Sequence, residues 1–140
     1  MAAEHSLDWT STAAPSLADF ERIGREALAA LPEAFLRRLG ETQISVADFP
    51  EPEVLEDMQA ETPFDLLGLF QGIGLAHDEA VSHTGQMPNM IWLYRRPILD
   101  YWAEHEETLG AIIAHVLIHE IGHHFGLSDD DMESIEDAAG

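Results

Sequence analysis

The stretch "TLGAIIAHVLIHEIGHHFGLSDDD", residues 108–131, decides how the rest of the chain is read. Its first part, Ala111 to Ile118, is apolar on nearly every face, which predicts a helix running through the core. Its second part turns polar at helical spacing. Residues four apart on a helix lie about 40° apart around the axis and about 6 Å along it, so His119 and His123 project side by side. Two imidazoles so placed can meet one ion. Glu120 lies about 100° further round, which sets its carboxylate beside such an ion and within reach of a water, the position a general base needs.

A catalytic zinc uses three protein ligands at about 2.0–2.2 Å and keeps one tetrahedral position open, so the two histidines need a third partner. Gly126 predicts the helix stop, because a left-handed residue after the last turn costs glycine little. The "LSD" that follows can then bring Asp129 back toward the histidines, giving His-Glu-x-x-His-x-x-Gly-x-x-Asp from His119 to Asp129. Asp130, Asp131, Glu133 and Glu136 are competing carboxylates, and the short route through Gly126 favours Asp129. With eight histidines in the chain, a shuffled sequence yields the bare His-Glu-x-x-His roughly one time in twenty, but the extended pattern only about once in several thousand.

The other histidines read differently. His124 points about 100° away from its neighbour His123 and is expected exposed or supporting. His115 lies about 12 Å along the axis from His123, too far to share one ion with it, and is expected to be a buried, hydrogen-bonded residue. His77 and His83 fall in a polar loop.

Upstream, "SLADFERIGREALAALPEAFLRRLG" places Leu17, Phe20, Ile23, Ala27, Leu28 and Leu31 at helical spacing, with Ser16 as N-cap, a bend or break at Pro32 and a stop at Gly40. "TQISVADFP" alternates as a strand. "EPEVLEDMQAETP" is a short acidic helix or loop. The glycines of "FDLLGLFQGIGL" suggest a strand with a bulge or tight turn, and "AHDEAVSHTGQMPN" an exposed loop. "MIWLY" is a strand, either in the core or at an edge where an extended peptide could pair. Arg95 and Arg96 follow it and are expected in structural ion pairs, with a substrate carboxylate as the alternative partner. "PILDYWAEHEE" reads as a helix, and "DDDMESIEDAAG" as a short acidic closing helix or tail. The order is α+β: a small sheet packed on a buried helix and an N-terminal helix. Residues 1–15 are expected as a flexible tail and 16–140 as one domain.

Six basic against 27 acidic side chains give a formal charge of −21, which argues against nucleic acid and anionic membranes as partners. The absence of cysteine removes disulfides and thiolate metal ligands. With no positive start or long apolar stretch in the first residues, the cytoplasm is the expected compartment.

"HEIGHHFGLSD", preceded by "LYRRPIL" at residues 93–99 and "DLLGLFQG" at 65–72, resembles the small bacterial zincin-like metallopeptidase family over residues 16–136. The resemblance implies a minimal zincin fold and one zinc ion. It also implies His119 and His123 as ligands, Asp129 at the third-ligand position and Glu120 as base. The glycine-mediated turn is similar to that of metzincins, which differ in placing a histidine where Asp129 stands and in having a methionine turn well beyond the motif; Met132 is too close to be its counterpart. The expected activity is hydrolysis of peptide or protein substrates. The competing expectation is a metal-binding or protein-interaction domain that keeps the site without the chemistry.

Overall fold

A computed structural model of the protein describes residues 7–72 and 89–139. The chain begins with α1, Leu17–Ala29, capped reciprocally: the Asp19 backbone N–H donates to the Ser16 hydroxyl and the Ser16 N–H donates to the Asp19 carboxylate. As expected from Pro32, the helix breaks there, and α2 resumes at Glu33–Leu39 and ends at Gly40 with φ +75°. Strand β1 is Thr42–Ala47 and the short acidic helix α3 is Pro52–Asp57. A single 3-10 turn, Pro63–Asp65, leads into β2, Gly68–Gln71. Strand β3, Asn89–Tyr94, runs directly into α4, Arg95–Glu104; then come α5, Leu109–Phe125, and α6, Asp129–Ala139.

The three strands form one mixed sheet in the order β1-β3-β2, β1 parallel to β3 and β2 antiparallel to it. This decides between the two readings of "MIWLY": β3 is the central strand, Ile91 and Leu93 are fully buried, and the edge beside α5 belongs to β2. Gly68, the glycine within β2, has a different cause from the expected bulge or turn, since its φ is not positive and the pairing with β3 runs unbroken from Gly68 to Gln71; Gly74 lies outside the described residues. A Cβ at Gly68 would come within 2.7 Å of Val116 Cγ1 and 2.9 Å of the Trp92 carbonyl, so glycine lets α5 lie directly on the strand. Gly24 does the same for α1, where a Cβ would meet Leu93 Cδ1 at 2.9 Å and Ile44 Cγ2 at 3.1 Å.

Helix α5 is the centre of the core. Ile112, Ile113, Val116, Leu117, Ile118 and Ile121 are all buried, packed with Phe20, Ile44, Ile91, Leu93 and Ile98. Burying one such aliphatic side chain contributes about 1.5–3 kcal/mol, so the position of this helix is fixed by several side chains at once. Arg95 donates through Nε to the Pro15 carbonyl at 2.7 Å and reaches Asp48 at 3.1 Å, while Arg96 lies 4.0 Å from the same carboxylate. Both arginines thus tie β3 and α4 to their surroundings. No helix among the described residues is long and apolar enough to cross a membrane. His77 and His83, and the loop expected around them, lie outside the described residues.

Candidate metal centre

One stripe of α5 escapes burial. It carries His115, His119 and His123 at successive four-residue steps, with His115 and His123 exposed and His119 partly covered. The His119 and His123 rings lie 6.0 Å apart between centroids and stand nearly perpendicular, at 85°. Two rings on one tetrahedral ion would have centroids roughly 5 Å apart at ordinary bond lengths, so modest rotation about the side-chain bonds brings the pair to a common ion.

The turn after α5 is built as its sequence suggests. Gly126 takes the left-handed conformation, φ +71° and ψ +28°, and the Leu127 and Gly126 N–H groups donate to the Gly122 and His123 carbonyls. Helix α6 then folds back along α5. Met132, almost wholly buried, seats on Gly122, where any Cβ would overlap its Sδ and come within 2.7 Å of its Cγ. Met132 is therefore a packing residue beneath the histidine stripe, fitted to the missing side chain of Gly122.

The carboxylates of "SDDDMESIE" separate by what they touch. Asp131 accepts from the Ser128 N–H while Ser128 Oγ accepts from the Asp131 N–H, closing a cap on α6 and engaging that carboxylate in structure. Asp129 is the exposed first residue of α6. Glu136, two turns further along, approaches His115 Nδ1 to 3.1 Å and His119 Nε2 to 3.4 Å. Among the described residues, the three-residue group whose donor atoms all lie within 4.8 Å of one another is His115, His119 and Glu136; His119, His123 and Asp129 do not form such a group. His115 is half-exposed rather than buried, because it sits on the one uncovered stripe, and its hydrogen-bond partner is Glu136. No local pattern of residues marks that pairing, which depends on how far α6 folds back.

Burial holds the His119 imidazole below its usual pKa, helped by its histidine neighbours His115 and His123 and opposed by Glu136 and Asp129. Glu120 lies on the opposite side of the stripe, against β2, where Gly68 leaves room for it: a Cβ there would stand 3.7 Å from Glu120 Cγ. Burial pushes the Glu120 carboxyl above its usual range, against the pull of His123 and a hydrogen bond from the Phe70 backbone. The buried Tyr94 phenol is pushed up to about 12, mainly by desolvation and then by the charges of Glu120 and Glu51. His124 stacks on Phe70 with ring centroids 4.3 Å apart, pinning the end of α5 to the edge strand. It is a partly covered supporting residue, consistent with its spacing. The donor set suits a transition metal: imidazole nitrogens and carboxylate oxygens, with no thiolate in the chain.

A helix through the core, a histidine pair at its exposed end and a half-buried glutamate beside an edge strand are the parts of a minimal zincin. The family profile of the zincin-like metallopeptidases matches residues 39–139, and the chain belongs to that family. Comparison with curated proteins gives no match.

Proposed function

We propose that the protein is a zinc-dependent peptidase in which His119 and His123 hold one zinc, Asp129 completes the set and Glu120 is the general base. The observation that carries this reading is the separation of roles at the end of α5. The two imidazoles share the exposed stripe, while the intervening carboxylate is turned to the β2 side and partly withdrawn from solvent. Zinc in such a site supplies a Lewis acid that polarises a carbonyl and makes water acidic near neutral pH.

The chain's own residues account for the remainder. Glu120, its proton affinity raised by burial, accepts a proton from the attacking water and returns it to the departing amine. Among the described residues no strand pairs with the outer side of β2, which would offer an extended peptide a row of backbone donors and acceptors beside Glu120. His124, stacked on Phe70, keeps that edge at a fixed distance from the histidines. Asp129 opens α6 immediately after the turn, and its charge is felt at His119.

The test is hydrolysis of a mixed peptide library by zinc-loaded protein, with and without chelator, alongside Glu120→Ala. Chelation and the substitution should each abolish cleavage, and the variant should retain its zinc. Cleavage by Glu120→Ala at the wild-type rate would refute the assigned base. Protein that holds zinc on His119 and His123 and cleaves nothing would instead mark a metal-binding domain without peptidase chemistry.

A further inference from the structure

The histidine stripe of α5 has three members, and the proposed peptidase site uses only two. His115, His119 and His123 make two adjacent pairs, each one turn apart, and α6 carries a candidate acid for each: Asp129 where it begins after the turn, Glu136 two turns along. The upper pair is the more tightly gathered. The His115 and His119 rings are 4.0 Å apart between centroids and inclined by only 32°. The Glu136 carboxylate lies across both, 3.1 Å from His115 Nδ1 and 3.4 Å from His119 Nε2. Ligand atoms on a tetrahedral ion with bonds of about 2.0–2.1 Å are roughly 3.3 Å apart, so both measured separations match an edge of that tetrahedron.

We propose that His115 Nδ1, His119 Nε2 and a Glu136 carboxylate oxygen form a second transition-metal position, roughly 6 Å up the helix axis from the peptidase position, and that the two compete for His119. The upper position stands on its own geometry, and only the competition rests on the peptidase reading. With two imidazoles and one carboxylate it suits zinc, cobalt or nickel rather than magnesium or calcium, which prefer all-oxygen sets. Val116 follows His115 where Glu120 follows His119, so among the described residues an ion there is stored without a general base in that place. His119 turned toward Glu136 is withdrawn from His123, so an ion in the upper position leaves the lower one short of a ligand. Occupancy of the upper position would hold the protein in a loaded but inactive form.

The experiment measures zinc binding, not hydrolysis, on full-length protein by native mass spectrometry and competition with a chromophoric chelator. Excess magnesium is present to fill sites made of carboxylates alone. His123→Ala removes the lower position, and this variant should still bind one zinc. Adding His115→Ala, or separately Glu136→Gln, should weaken that remaining zinc at least tenfold. His115 and His123 are exposed and Glu136 is partly exposed, so these variants should keep the wild-type circular dichroism spectrum. Equal zinc affinity in the His123→Ala background with and without His115→Ala would overturn the upper position. Two tightly bound zinc ions per wild-type chain would overturn the sharing of His119. Every arm reads affinity, so the upper position is judged apart from hydrolysis; a His115→Ala protein, left with the lower position alone, that binds zinc and hydrolyses no peptide would dispose of the peptidase reading.

Discussion

At the scale of single residues, Glu120 sets chemistry against stability. Its carboxyl is raised above the ordinary value of 4.5 by burial, so folding favours its protonated form. A group whose folded pKa is raised contributes stability that is fully present below the unfolded pKa and lost as pH rises through the folded value. Metal-free Glu120→Gln should therefore be more stable than wild type at about pH 7, with the difference shrinking toward about pH 4. Chemical denaturation at both pH values checks this, and a difference that grows on acidification would contradict it. The residues around Glu120 also show what was legible in the sequence. His119, Glu120 and His123 follow from helical spacing alone, and Gly126 from turn chemistry. Asp131 could have been set aside as a ligand, because its three-residue spacing from Ser128 is that of a reciprocal cap. Glu136 could not have been chosen over its neighbours: its approach to His115 and His119 is a tertiary contact across 21 and 17 positions.

At the scale of elements, the site depends on the hairpin of α5 and α6. Gly122 and Met132 fit as a gap and its filling, so Gly122→Ala should cost about 1–3 kcal/mol through overpacking. Met132→Ala should cost about 2–5 kcal/mol through the cavity it leaves. In the double variant the added methyl occupies part of that cavity, so the two costs should sum to more than the measured loss, with a coupling of about 1 kcal/mol or more. A double-mutant cycle by denaturant unfolding reads this directly, and strict additivity would show that the two residues do not pack as described. At the other end of the fold, Ser16→Ala removes the cap of α1 and should cost about 1 kcal/mol by the same assay. The helices were legible because caps, stops and periodicity are local. The rank of the strands was not: the aromatic and branched residues crowded in "MIWLY" suit a central and an edge strand alike. Only the pairing of Thr42 with Asn89 and of Gly68 with Leu93, both long-range, makes β3 central. The role of Gly68 is not legible, because close approach of a helix leaves no mark in a single sequence.

At the scale of the whole molecule, a fold stabilised from one core helix keeps about the last three turns of that helix uncovered along the histidine stripe. An ion bound there by residues of both α5 and α6 would add a cross-link between them. Zinc at a hundredfold excess over its dissociation constant should stabilise the protein by about 2.7 kcal/mol, seen as a raised Tm that chelator reverses. An unchanged Tm on zinc addition would argue that the native protein does not bind the ion. The formal charge of −21 makes cation accumulation near the surface favourable everywhere, so the magnitude of this shift matters less than its loss in variants of the histidines. The most direct test of the central claim is the position of the ion itself. Anomalous diffraction at the zinc edge, on crystals of His115→Ala protein loaded with one equivalent so that the upper position is removed, should show a peak bonded to His119 and His123 with the Glu120 carboxylate nearby but not ligated. A peak bonded to Glu120, or one that leaves His123 without a metal bond, would contradict it.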